Sequence, residues 1–485
     1  GGTAIGNMHL PVRINGDIAL LKGIMRIMLD AEDAAPGSVF DHDFINSRTE
    51  GFEDFLRELR NVRIEDCVER SGISRNQMEA VARLCIRNEK IIICWAMGIT
   101  QHKNGVANIQ EIVNLLLLRG AIGKPGAGTC PVRGHSNVQG DRTMGIWEKM
   151  PDSFLDRLDA HFDITVPRAH GYDTIESILA LQDGKAKVFF GMGGNFVSAA
   201  PDSELTAAAM QNCRLTAHVS TKLNRSHVVT GDQAVILPCI ARSEVDMQKN
   251  GQQFVSMENS MGIVHNSKGI NPPATSQLLS EPAIVGQLAQ KTLGGRTNID
   301  WQAMIDNYDV IRDHIAAVVN GFEDYNRRVR EPAGFYLPNG AREGKFNTDS
   351  GFAKFTVNEM PEHQLEDGQF MLMTIRSHDQ YNTTIYGLDV RYRCFENVRR
   401  IFLMIRRDMI AAGFKSKQKV NVTSHFEGET RTAENWYLVP YNIPRRCLGA
   451  YFPEANVLVP LRHVADKANT PASKSVVVTL EAWRG

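Results

Sequence analysis

The sequence lacks a long apolar run, a cysteine pair at CxxC spacing and any substantial net charge, and each absence removes a class of protein. Without roughly 18–20 consecutive apolar residues there is no helical membrane span. The longest candidate, Ile112 to Leu118, is interrupted by Asn114 and reads as a buried helix. Lys and Arg (54) balance Asp and Glu (55), so no global field gathers nucleic acid or an anionic membrane. The eight cysteines, at 67, 85, 94, 130, 213, 239, 394 and 447, form no Cys/His run of the zinc type, and no metal ligand is assigned. Scattered cysteines of this kind are expected as reduced thiols, which places the chain in a cytoplasm. Internal repeats and low-complexity stretches are absent. So is a GxGxxG with a downstream acid, which leaves a nicotinamide-dependent dehydrogenase without support.

What is present points to an α/β protein. The chain of 485 residues is long enough for roughly two to four packed domains. Forty glycines exceed what a helical bundle needs and suit many tight loops. Residue 1 is Gly, and the opening GGTAIGNMHLPVRINGD reads as a strand and loop from mid-domain, so a fragment of a longer chain is expected. The basic doublets Arg399-Arg400, Arg406-Arg407 and Arg445-Arg446 are read as solvated faces.

Periodicity predicts a helix from Asp17 with Ile18, Leu21, Ile24, Met25 and Met28 on its apolar face. Another is predicted after the N-cap Ser74, burying Met78, Val81, Ala82 and Cys85. Ile91 to Trp95 is expected as a short buried strand, followed by a Gly-rich loop to Gly105 and a helix over about 106–120. A second strand, loop and helix unit follows: strand Lys187 to Phe190, loop Gly191 to Asn195, helix Ser203 to Gln211, strand Arg214 to Val219. Ala234 to Pro238 is a further buried strand. In such units ligands bind beyond the carboxyl ends of the strands. Residues 270–360 are less regular, with a helix near 300–319. From about 368 strand-like runs dominate (Phe370–Ile375, Lys419–Thr423, Val457–Val459, Ser475–Leu480), which suggests a β-barrel. The expected fold is therefore doubly wound α/β domains followed by a C-terminal β-barrel domain.

Three segments carry polar chemistry. Gly123 to Gly140, GKPGAGTCPVRGHSNVQG, holds five glycines and two prolines and little that packs a core. It reads as a long loop whose amides and Arg133 face an anionic ligand, or as an ordinary surface loop. The loop Gly191-Met-Gly-Gly-Asn195 follows a strand, so its backbone can approach a diphosphate closely; common turns have the same pattern. Thr374 to Thr383, TIRSHDQYNT, concentrates hydrogen-bonding side chains in a short turn, either a ligand-binding turn or a polar hairpin.

The stretch Trp95-Ala-Met-Gly-Ile-Thr-Gln-His-Lys-Asn-Gly, the segment Cys130-Pro-Val-Arg-Gly-His-Ser-Asn-Val-Gln-Gly and the earlier Asp43-Phe-Ile-Asn-Ser-Arg-Thr-Glu-Gly-Phe-Glu resemble the formate dehydrogenase branch of the molybdopterin-dependent oxidoreductases. The similarity runs in patches from about residue 8 to 482. The resemblance implies two molybdopterin guanine dinucleotides with molybdenum, a two-electron reaction on a small-molecule substrate, and an electron-transfer protein as partner. It also implies an iron–sulfur (4Fe-4S) cluster and a molybdenum ligand in an upstream part, which no segment here matches; Cys130 is not assigned to metal. Residues 1–135 would be the remnant of one α/β domain. Residues 136–360 would be a second, cofactor-binding α/β domain with an irregular connection, and 361–485 a β-barrel that binds the molybdopterin dinucleotide.

By the same resemblance Arg133 orients substrate. Gly191, Gly193, Gly194 and Asn195 hold one dinucleotide, with His218, Thr221 and Asn224 beside them. Arg376, His378, Gln380, Asn382, Asn456 and Lys474 contact the cofactor from the terminal domain. Some positions depart from the branch. His135 replaces a Gln, and is read either as a proton relay or as a hydrogen-bonded structural residue. Trp95 replaces a small residue, Phe196 a Pro, and His218-Val-Ser-Thr a Gln-Asp-x-Phe pattern. They weaken formate as the substrate and leave a degenerate, non-catalytic cofactor-binding relative as the alternative.

Overall fold

A computed structural model describes residues 6–135, 137–362, 365–386 and 398–485, so Cys394 lies outside the described residues. The chain divides into two compact units. One comprises Gly1–Val132, Ser198–Glu204 and Gly340–Gly485, the other Arg133–Val197 and Leu205–Asn339. The regions expected at 1–135 and 361–485 thus fall almost wholly within one unit, and most of 136–360 forms the other.

In the first unit the helix expected from Asp17 spans Asp17–Ala34 and buries Ile18, Ile24, Met25 and Met28. Its core partners include Phe55, Leu59, Met78, Leu115 and Phe355. The Arg75–Arg87 helix starts at Ser74, whose backbone N–H donates to Gln77 Oε1 at 3.2 Å, and it buries Met78 and Ala82. Periodicity did not reveal the polar groups inside this core. Lys22 is fully buried, with its ammonium 2.7 Å from Glu58 and 3.5 Å from Glu111. Burial raises the pKa of Glu111. Asn114, the residue that interrupts the apolar run, sits in the Gly105–Leu118 helix. Its amide donates to Thr356 O at 2.8 Å and accepts from Thr356 N at 3.0 Å, so one buried side chain completes the backbone bonding of a passing segment.

The short strand is present at Ile92–Trp95, paired in parallel with Gly128–Pro131, but it is not buried: Ile92 is 56% exposed. A sheet of two strands leaves a face without a covering layer, whereas the sequence pattern assumed a sheet covered on both sides. The segment Gly123 to Gly140 is likewise not one long loop, since it contains that second strand and a helix at Val138–Thr143.

The terminal strands close on themselves. Gln369–Ile375 pairs with Cys447–Tyr451, then come Ile401–Met404, Glu429–Pro440, Lys419–Phe426 and Val476–Ala482, which returns to the first strand. Phe402, Trp436, Leu438, Leu448 and Val476 fill the interior. Val457–Val459 is not a strand. It lies at a 3-10 turn, Glu454–Leu458, bracketed by Pro453 and Pro460, whose Ala455 and Leu458 plug the interior. Segment 198–204 docks on the barrel through Arg431, whose Nε lies 2.6 Å from Asp202 Oδ2.

The second unit contains a parallel three-stranded sheet, Val188–Met192, Leu215–Ser220 and Gln233–Pro238, in that order. Only the middle strand is buried. Gln233–Pro238, expected to be buried, is an edge strand with mostly exposed residues. A smaller antiparallel sheet joins Val255–Glu258, Ile263–Ser267 and Phe335–Tyr336. The helix expected near 300–319 is two helices, Trp301–Asp306 and Tyr308–Val318, because Asn307 ends the first and caps the second, accepting from Asp309 N at 3.0 Å.

Candidate functional site

In the second unit the loop after Val188–Met192 turns through Gly193 and Gly194, at φ +66° and +72°. Both lie in the left-handed region that side chains disfavour. A Cβ at either would meet nothing within 4 Å, so the backbone there is open to close approach. Gly191 differs: a Cβ would come within 2.7 Å of the Phe189 ring and 3.2 Å of His218 Nδ1, so this glycine makes room for His218.

His218, on the buried middle strand, is 5% exposed and its ring lies 4.8 Å from that of His227. Burial, and secondarily His227, lowers its pKa, which keeps the ring neutral near pH 7. Asn224 ties the two loops together. Its amide donates to Gly194 O at 2.7 Å, and its Oδ1 accepts from Ser226 N at 2.9 Å at the start of the Arg225–Val228 turn. Ser226 Oγ also donates to Asn195 Oδ1 at 3.1 Å. Asn224 and Asn195 therefore spend these groups on shaping the loop. Thr221 lies on the wall of a mostly apolar cavity of about 770 Å³ that Met192, Trp301 and Tyr308 also line.

Also in this unit, Arg133 is exposed and donates through Nη2 to Gln139 Oε1 at 3.2 Å. His135 is half-buried, and its carbonyl accepts from Val138 N at 3.2 Å at the entry to the Val138–Thr143 helix.

In the first unit Arg376, Asn456 and Lys474 meet around a cavity of about 80 Å³, whose wall also includes Gln101, Thr374 and Ser473 beside apolar residues such as Met97 and Phe452. That is room for two or three waters or one small anionic group. Lys474 is 8% exposed and donates to Thr374, to its carbonyl and, at 3.1 Å, to its hydroxyl. Burial, and then the nearby Arg376, pushes its pKa down to about 8. Arg376 lies over the Phe452 ring at 4.7 Å, and burial lowers its pKa too. Among the described residues neither cation has a carboxylate partner. Two cations held partly out of water without a counter-charge form a site whose electrostatics favour an anion.

Asn456 is 3% exposed and spends its amide on the Ser198 and Ala199 carbonyls, at 2.9 and 3.1 Å. Gln380 is equally committed: Oε1 accepts from Ser377 N at 2.9 Å, and Nε2 donates to Phe452 O at 2.7 Å. Asn382 takes φ +48° in the tight turn joining Gln380–Tyr381 to Thr384–Ile385, and His378 is exposed.

The structure thus gathers Arg376 and Lys474 at one cavity and the glycines, Asn195, His218 and Asn224 at one loop pair. Arg399 was missed, because the doublet Arg399-Arg400 read as a solvated face; its side chain is 9% exposed and organises the turn that carries Arg376 and Gln380. Gln101 was also missed as a site residue, although it lies in the Gly-Ile-Thr-Gln run. Its Oε1 accepts from Ser473 Oγ at 2.9 Å beside Lys474.

A family model described as molybdopterin oxidoreductase matches residues 6–274. An uncharacterized oxidoreductase of Mycobacterium tuberculosis is 47% identical over 486 residues, which cover 99% of this chain and 62% of that protein. The chain therefore spans about three-fifths of the length of such a relative. Formate dehydrogenase H of Escherichia coli is 33% identical over 150 residues only, 31% of this chain and 20% of that protein. Among solved structures, acetylene hydratase from Pelobacter acetylenicus shares the mixed α/β fold with a TM-score of 0.66, at 13% identity over 98% of this chain and 72% of that one.

Proposed function

The chain belongs to the molybdopterin oxidoreductase family, and from that premise we propose that it is the cofactor-cradling part of an enzyme that carries out a two-electron reaction on a small anionic substrate. The observation that carries the proposal is the pair Arg376 and Lys474, two partly desolvated cations with no carboxylate partner among the described residues. A molybdopterin guanine dinucleotide supplies negatively charged phosphate oxygens, and the open backbone at Gly193 and Gly194 suits a second such group. The residues present fit the cofactor at these two places. When bound, the molybdenum centre exchanges two electrons with the substrate.

This chain's own residues would bind and orient. Lys474 would hold an anionic cofactor oxygen in exchange for its bonds to Thr374. Arg376 would take a second from its seat on Phe452. Asn224, Gln380 and Asn456 would act by shaping loops, because their amides are already engaged, and Asn195 would do so through its side-chain oxygen. Arg133, held at one corner by Gln139, would direct its remaining donors to the substrate. Formate-dehydrogenase-like chemistry, a 4Fe-4S cluster in the remaining part of the protein, an electron-transfer protein as partner, a cytoplasmic location and a three-domain division belong to the same proposal. The 150-residue similarity to formate dehydrogenase H supports its formate aspect. Among the described residues no helix is long and apolar enough to cross a membrane.

The test is metal and pterin analysis of the full-length protein. Molybdenum near stoichiometric with the chain is expected. Arg376→Met with Lys474→Met should lower molybdenum and pterin content several-fold, and Arg133→Ala should leave both unchanged while abolishing most dye-linked turnover. Wild-type protein that retains neither molybdenum nor pterin would instead support the degenerate, non-catalytic relative.

A further inference from the structure

In the second unit two side chains of one short segment, Gln139 and Thr143, converge on a single buried carboxylate. Glu258 ends the strand Val255–Glu258, which is paired with Ile263–Ser267, and is 5% exposed. Its Oε1 accepts from Gln139 Nε2, and its Oε2 accepts from Thr143 Oγ1 at 2.7 Å. Gln139 and Thr143 are four apart on the Val138–Thr143 helix and so share a face. The Glu258 backbone N–H donates to Asn137 Oδ1 at 2.9 Å. Gly140 lets the helix come this close, since a Cβ there would lie 2.2 Å from Asn137 Oδ1 and 3.2 Å from Glu258 Cβ. Among the described residues no cation forms an ion pair with Glu258. The charge it reaches is Arg133, one amide away, where Nη2 donates to Gln139 Oε1.

We propose that Glu258 is a positioning residue for Arg133, acting through Gln139. Because Glu258 Oε1 accepts from Gln139 Nε2, it fixes the Gln139 amide with its NH₂ group inward and its oxygen outward. The outward oxygen holds one corner of the guanidinium and leaves the other donors to a ligand. Glu258 stands on a paired strand, which fixes the reference point, whereas Arg133 itself lies on an exposed loop. The Val-Arg-Gly to Val-Gln-Gly run thereby gains a physical meaning. Its Gln transmits orientation, and its last Gly permits the contact that enforces it.

The inference rests on the proposed role of Arg133, and the test separates the two. In full-length, cofactor-loaded protein, phenylglyoxal modification of Arg133 is followed by peptide mass spectrometry, with and without formate or nitrate as small-anion probes. Wild-type protein should react slowly and be protected by the anion. Glu258→Met should react several-fold faster and lose the protection. Glu258→Gln should keep most of it, since its oxygen can face Gln139 while its NH₂ donates to Thr143. Gln139→Leu removes only the link, and should behave like Glu258→Met even if the latter misfolds. Unchanged rate and protection in folded Glu258→Met or Gln139→Leu protein overturns the positioning role. Absence of anion protection in wild-type protein, with faster modification still seen in the variants, overturns the substrate role of Arg133 and leaves the positioning role standing.

Discussion

Arg399 grips Glu454 through two nitrogens, Nε at 2.6 Å from Oε1 and Nη2 at 3.1 Å from Oε2. The same guanidinium reaches Ser377 Oγ at 2.9 Å and the Phe452 carbonyl at 2.8 Å, and it lies 4.7 Å over the Tyr451 ring. It therefore fastens the turn after Gln369–Ile375 to the loop after Cys447–Tyr451, the two segments that supply Arg376 and Phe452.

Arg399→Ala should destabilise the protein by about 3–5 kcal/mol, because it leaves Glu454 partly buried and unpaired. Arg400→Ala, at an exposed position, should stay within about 0.5 kcal/mol of wild type. Urea unfolding followed by tryptophan fluorescence measures both.

Lys474 couples stability to pH. Its pKa is about 8 when folded against an ordinary 10.5, so the unfolded chain binds more protons between these values. Stability therefore rises with pH across that window, and the full cost of the buried ammonium is present below it. In cofactor-free protein Lys474→Met should raise stability at pH 7 by about 1–3 kcal/mol, and should flatten the rise between pH 8 and 10.5. Thermal melts across that range check the prediction; a less stable variant would contradict it.

His463 acts at the acid end. Burial, and then Lys103, pushes its pKa down to about 4, and its ring stacks on Phe426 at 4.8 Å. The unfolded chain takes up the proton first, near its ordinary 6.5, so stability is lost as pH falls from about 6.5 to about 4. His463→Phe should remove on the order of 2 kcal/mol of that loss, allowing for the solvent that still reaches the ring. Denaturant midpoints at pH 7 and pH 4.5 provide the comparison.

Asn224 offers a test of how the glycine loop is held. Asn224→Asp keeps the oxygen that accepts from Ser226 N but loses the donor to Gly194 O. Hydrogen exchange should speed up at Gly193 and Gly194, while the Ser226 amide stays protected. Uniform loosening of both segments would show that the cap and the loop contact are not separable.

Some of this was legible in the sequence because it depends on neighbours along the chain. The Asp17–Ala34 helix, the Ser74 cap, the Ser203–Gln211 helix and the tight loop from Gly191 to Asn195 follow from local spacing and backbone sterics. The motif around Val-Arg-Gly placed the chain in its family for the same reason, as a run of adjacent residues. Tertiary structure alone decided what distant side chains do. The sequence could not tell Arg399 from Arg400, since their difference lies in a carboxylate 55 positions away. Nor could it distinguish Lys474, left without an acidic partner among the described residues, from Lys22, paired with Glu58 and Glu111. A charge's cost and use are set by its desolvation and by which opposite charge the fold brings within reach, and neither quantity is a property of local sequence.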